Sequence, residues 1–243
     1  MTTVAVLAAP PVEGAVLSEL AGGPLEESEA TALYTAMLTD VCRAVEASGA
    51  ELLVNYRPDD QVPDGVDPEG AVREPLEAAL DAPGDVRYEV QVGSSLSARV
   101  GNTVTHLLER EGVNTAAAVE PTAGLLTRQL IDSAAMKLRS SGVVLGPSTD
   151  GRVYYAGFGD PVDFEDAYTS PTVETLTDRA VDADLGVDFL PSTPVVETPA
   201  DLRTVVPLLR ARHRAERVVP PRTTTLINEF GLRVTAEKGL VKK

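Results

Sequence analysis

Val4 to Ala8 is an unbroken apolar run stopped by Pro10-Pro11, the pattern of a strand covered on both faces. From Glu26 to Ala47 the period changes. Ala30, Leu33, Tyr34, Met37, Leu38, Val41 and Val45 recur on one side of a helix that Gly49 ends. Glu51 to Tyr56 is a second strand, and residues 57 to 70 are polar and rich in Pro and Asp, hence loop. Residues 72–80 predict a short helix and 86–92 an alternating strand. Over 95–110 the spacing predicts a helix with Leu96, Val100, Val104 and Leu107 inward. A buried strand at 114–119 precedes a helix at 127–140. Two strands, 143–146 and 153–158, flank an acidic turn. A helix at 170–180, a strand at 187–190 and a helix at 199–210 behind a capping Thr198 complete the series. Such alternation predicts a three-layer α/β/α sandwich around a mainly parallel sheet. Residues 1–210 form this α/β domain. Residues 211–243 read as a basic, partly ordered extension with a strand at Thr224 to Ile227.

Composition narrows the picture. Hydrophobic residues make up 43% of the 243, but aromatics only 4% and Trp none, so the core is built from Val, Leu and Ala. The formal charge is -16, from 21 basic and 37 acidic residues, and only four of the basic ones are Lys. Acid excess with scarce Lys predicts a cytoplasmic protein adapted to high salt; an ordinary acidic protein is the alternative. From Arg203 onward ten basic residues face three acidic ones. That tail either folds onto the acidic body or meets a partner such as a second subunit. The acidic body argues against nucleic acid. Cys42, the only cysteine, lies in a helical pattern as a small core residue. No apolar run reaches bilayer length, and the first residues read as a strand, not a leader.

The richest chemistry lies in GVVLGPSTDGRVYYAGF, residues 142 to 158. An Asp150-Gly151 turn between two strands puts a carboxylate and a pliant backbone at a sheet edge, where open α/β sheets bind ligands. It is equally a common turn pair. His106 and His213 have no Ser or Cys partner in the pattern, and no P-loop, G-x-G-x-x-G or C-x-x-C occurs.

The same block, VVLGPSTDGRVYYAGF, resembles the glycine-proline-acid-glycine block of the GT-A-like transferases known as selenodomain-associated transferase 1, although the second glycine of that block is Arg152 here. YTSPTVETLTDRA (168–180), VVETPADL (195–202) and QVGSSLSARV (91–100) are similar to further blocks of that family, the last keeping Gln91, Leu96 and Arg99. The resemblance covers roughly residues 3 to 210. It implies a GT-A fold and a glycosyl- or nucleotidyl-transferase that binds a nucleotide-diphospho-sugar or a nucleoside triphosphate with Mg²⁺ or Mn²⁺. It places Glu120, Asp150 and Glu197 as the acids that hold metal, with Glu120 and Asp150 also catalytic, and Gln91, Arg99, Gly151 and Arg152 as substrate contacts. Three acids at sheet ends suit one hard cation. Each has a plainer reading: Glu120 as a helix cap, Asp150 as a turn residue, Arg99 as the partner of a nearby acid, Gln91 as a solvated strand end.

The chain departs from the family in its first loop. The family's basic positions are Ala9, Leu17 and Glu19, and the loop carries Glu13. Phosphates need cations or backbone N–H groups, and an acid there repels them. A second reading follows: a catalytically degenerate GT-A-fold binding or scaffold protein, self-associating as a dimer.

Overall fold

The computed structural model describes residues 2–237 and 239–242. Seven strands form one sheet in the order β3-β2-β1-β4-β6-β5-β7. They are β1 (Thr2–Ala8), β2 (Glu51–Tyr56), β3 (Arg87–Val90), β4 (Thr115–Val119), β5 (Val143–Pro147), β6 (Val153–Phe158) and β7 (Val187–Phe189). β1 pairs in parallel with β2 and β4, β2 with β3, and β5 with β7. β6 alone runs antiparallel, between β4 and β5. The cause is connection length: only the short 148–152 turn joins β5 to β6, and a parallel return needs a dozen or more residues.

Helices α1 (Glu27–Glu46), α2 (Pro68–Glu77) and α4 (Arg128–Lys137) cover one face. Val4, Val6 and Ala8 of β1, with Val54, Val119 and Val144, meet Leu38, Val41, Cys42, Leu76 and Ile131 there. Helices α3 (Leu96–Thr105) and α5 (Thr172–Asp182) cover the other, where Ala5 and Leu7 meet Val100, Val104, Leu176 and Ala180. The period of two along β1 thus divides one strand between two cores, each fully buried Val or Leu contributing about 1.5–3 kcal/mol. α3 runs on as one wide turn, His106–Arg110, which completes the helix expected to Arg110.

A third apolar layer lies outside α1. Leu33 and Met37 pack with Leu202, Val205, Val206 and Leu209 of α6 (Pro199–Arg214), Ile227 of α7 (Pro221–Glu229) and Leu232. Here one expectation fails: Thr224 to Ile227 is helical. Pro221 stands at the first helical position, where its missing N–H is no loss, and the Asp40 carboxylate of α1 accepts the next N–H groups, from Arg222 (3.2 Å) and Thr223 (2.8 Å). A hairpin of β8 (Arg233–Thr235) and β9 (Gly239–Val241) lies against α6, and Lys242 pairs with Glu29. Lys238 and Lys243 of the basic tail lie outside the described residues.

Candidate functional site

The chain crosses from β1 to β2 on one side and reaches β4 on the other. The sheet therefore changes winding direction between β1 and β4, and the crevice at their carboxyl ends is where such sheets take ligands. Ala8, Arg57, Gln91, Glu120 and the 148–152 turn meet along this rim.

Glu120 follows β4 directly and is half-buried. Its pKa is pushed up to about 7, first by burial and then by Glu197, while Arg99 and Arg57 pull it down. Two tyrosines feel its charge: Tyr34, whose hydroxyl accepts the Ala9 N–H at 2.8 Å, and Tyr168. Beneath it a cavity of about 10 Å³, lined in part by Leu7, Val100, Tyr154 and Tyr168, has room for one water molecule. A hollow of about 590 Å³ lies instead between α1, α2 and α7, lined by Ala36, Thr39, Pro75, Arg222 and Leu226 among others. Size favours that hollow, but it has no group of acids or histidines, so the chemistry points to the rim.

Gln91 is 2% exposed, so it is not a solvated strand end. Its amide nitrogen donates to the carbonyls of Ala8 (3.0 Å) and Asn55 (2.5 Å), which ties β3 across β2 to β1. Its buried Oε1 has no partner. Arg99, on the first turn of α3, is 6% exposed, and its Nε likewise has no partner. Burial and Arg57 both lower its pKa, and Glu120 opposes them weakly. Six buried side-chain polar atoms lack a partner among the described residues, and the two on this rim, Gln91 Oε1 and Arg99 Nε, are the ones that a ligand in the crevice can reach.

The other half of the rim is closed by Arg152. Its guanidinium donates to Asp201 (2.5 and 3.0 Å), Glu197 (2.7 Å) and Thr149 Oγ1 (2.8 Å), and Asp150 lies 3.6 Å away. Asp201, with only 2% of its side chain exposed, also accepts the N–H groups of Glu197 and Thr198 at the start of α6. Arg152 therefore fastens the β5–β6 turn to α6, and its donors are filled from within the chain. Glu197 accepts from Thr122 at 3.0 Å as well, which brings it beside Glu120. Asp150 has an 82% exposed side chain and φ 57, the conformation of a turn aspartate. Gly151 has φ 70, and a Cβ there would stand 2.7 Å from Pro171 Cβ, so backbone geometry alone requires glycine.

The structure thus sets Arg99 within reach of the charge of Glu120, with Gln91 bonded to Ala8 at the end of the neighbouring strand β1. It joins Asp150, Gly151, Arg152 and Glu197 in a neighbouring, internally bonded cluster. Among the described residues no group of three or more His, Cys, Asp and Glu is disposed to hold a metal ion. Glu120, Asp150 and Glu197 share a rim but not a coordination sphere, because Arg152 stands among the last two. A divalent cation held by all three does not fit. Sequence reasoning missed Arg57 and Tyr168. Arg57 was hidden in a polar loop; its one signal was its place directly after a strand.

No protein-family model matches the chain, and no curated protein matches it. Solved structures do match. A protein from Desulfovibrio desulfuricans G20, provisionally assigned as a nucleotide-diphospho-sugar transferase, is 20% identical over 94% of this chain and 94% of its own, with a TM-score of 0.75. The 4-diphosphocytidyl-2C-methyl-D-erythritol synthase of Anaerococcus prevotii DSM 20548 is 13% identical over 86% and 96%, TM-score 0.51. CMP:2-keto-3-deoxy-manno-octonic acid synthetase complexed with CTP is 11% identical over 88% and 99%, TM-score 0.50. No helix among the described residues is long and apolar enough to cross a membrane. At these identities the likeness speaks for architecture: the chain has the α/β fold of nucleotide-diphospho-sugar-transferase-like structures.

Proposed function

We propose that this protein is a glycosyl- or nucleotidyl-transferase whose nucleotide-diphospho-sugar or nucleoside triphosphate lies on the rim between β1 and β4. The observation that carries this reading is the set of unpartnered buried groups, Gln91 Oε1 and Arg99 Nε, beside Glu120. That set sits at the winding reversal of a sheet like those of the proteins named above.

Glu120 is the group suited to proton transfer. With a pKa near 7 it takes a proton from an acceptor hydroxyl as that oxygen attacks. In glycosyl transfer the attack is on the anomeric carbon and a nucleoside diphosphate leaves; in nucleotidyl transfer it is on the α-phosphorus and pyrophosphate leaves. Glu120, Asp150 and Glu197 do not offer Mg²⁺ or Mn²⁺ a three-carboxylate seat.

The likeness to selenodomain-associated transferase 1, a cytoplasmic setting with high salt, self-association and a basic C-terminal extension that packs on the α/β domain belong to the same proposal. Supporting them are the four matching blocks, the charge of -16 and the basic tail.

Calorimetric titration with UDP-, GDP- and TDP-sugars, GTP and CTP, in high KCl with Mn²⁺ and again with chelator, tests it. Saturable binding of at least one is expected. Folded protein that binds none of them ends the transferase reading. The locked Arg152 and the acidic first loop favour the second reading, a fold kept for binding alone. Binding without turnover in the presence of candidate acceptors would select it.

A further inference from the structure

The first loop has no cation, and Arg152 is filled by its own chain, so ligand phosphates need another counter-charge. We propose that Arg57 and Arg99 form that counter-charge, a two-arginine clamp for the diphosphate of the ligand, with Gln91 at its floor. This deepens the reading above and rests on it for where the ligand lies.

The geometry runs through four residues. Arg57 is the first residue past β2, and among the described residues its side chain makes one hydrogen bond, a weak one, Nη1 to Gln61 Oε1 at 3.5 Å. The amide nitrogen of Gln61 donates to the Gly93 carbonyl at 3.2 Å. Gly93 has φ 129 and lies flat on the first turn of α3: a Cβ there would stand 2.8 Å from Ala98 Cβ and 3.0 Å from the Arg99 nitrogen. The loop after β2 and the Gly93 turn thus lie on the first turn of α3, and the charge of Arg57 reaches Arg99 there and lowers its pKa.

Among the described residues no carboxylate forms an ion pair with either arginine, and Glu120 offsets their charge only weakly. Most arginines of the chain have no carboxylate within ion-pair distance, but they lie at the surface or, like Arg43, meet a carbonyl; Arg99 is buried with its Nε unfilled, and Arg57 stands beside it. Three unfavourable features coincide at Arg99: a side chain withdrawn from water, an unfilled Nε donor and the like charge of Arg57 acting on it. An oxyanion with several oxygens relieves all three, and the planar fork of arginine fits phosphate in pairs of hydrogen bonds. Glu120 is close enough to feel both arginines but forms an ion pair with neither. The clamp is therefore open to an incoming anion.

Inorganic pyrophosphate is the probe, titrated calorimetrically into the full chain in high KCl with chelator present. Wild type is expected to bind it. Arg57→Gln is expected to weaken binding by about tenfold or more, the loss of charge-assisted hydrogen bonds. Arg99→Lys keeps the charge but loses the fork, and is expected to weaken it as well. Arg73→Gln, on the far side of β3, is expected to bind as wild type does. Arg57 is only half-buried, so its replacement tests the clamp even where an Arg99 variant folds poorly. The clamp is overturned if folded wild type ignores pyrophosphate. It is also overturned if Arg57→Gln binds unchanged, or if Arg73→Gln weakens binding equally. Pyrophosphate binding with no nucleotide binding would keep the clamp and remove the transferase reading. Nucleotide binding indifferent to Arg57→Gln would do the reverse.

Discussion

At the scale of single residues, Glu120 has the most measurable consequence. Burial and then Glu197 raise its pKa from 4.5 to about 7, Arg99 and Arg57 oppose them, and Tyr34 and Tyr168 feel its charge. Between those two values the folded chain holds a proton that the unfolded chain releases. Stability therefore falls as pH rises through that window and levels off above it. Glu120→Gln should remove this decline. Well above pH 7 the variant should be more stable than wild type, on the order of 1 kcal/mol once partial exposure is allowed for; below pH 4.5 the two should coincide. Urea midpoints across the pH range decide it, and parallel curves would mean that Glu120 titrates normally. The strand-end place of Glu120 was legible from the apolar run before it. Its neighbours were not: Tyr168 and Glu197 come from loops 48 and 77 positions away in the sequence. Arg152 shows the same limit. Its residue type suited a phosphate contact, but its partner Asp201 is 49 positions on, so only folding reveals that its donors are filled.

At the scale of elements, the hydrophobic period placed the strands and helices of the sheet closely, because each buries its own repeat. The tail was harder. The β-branched run ending in Ile227 has strand-like composition, yet it forms α7. The deciding group is Asp40, 183 positions earlier, whose two oxygens cap the first turn. Asp40→Ala should cost about 1–2 kcal/mol, as loss of a helix cap does, with Asp40→Asn costing less. Hydrogen exchange should quicken over 221–229 and leave the central sheet strands unchanged. Unaltered protection of α7 would show that its apolar contacts with α1 suffice without the cap.

At the scale of the whole molecule, charge is the dominant property. A net charge of -16 on 243 residues repels itself, and salt screens that repulsion within a Debye length of about 10 Å at 0.1 M and about 3 Å at 1 M. Thermal midpoints should rise steadily with KCl and level off at high concentration. A midpoint that is flat or falls would remove the case for salt adaptation. Local pairing does not cancel the repulsion: Lys242 with Glu29 and Arg87 with Glu51, Glu89 and Glu111 neutralise patches, and a large acid excess remains.

By itself the sequence determined what depends on near neighbours. Its repeats set the strands and helices, their alternation the layered α/β architecture, and the short 148–152 connection the presence of a hairpin at the rim. Tertiary structure alone decided which polar groups are free. Arg152 and Arg99 look alike along the chain, but one is met by Asp201 and Glu197 and the other is buried without a carboxylate at ion-pair distance. Charge compensation acts through space over a few ångströms, and the groups that meet across this rim lie tens of residues apart.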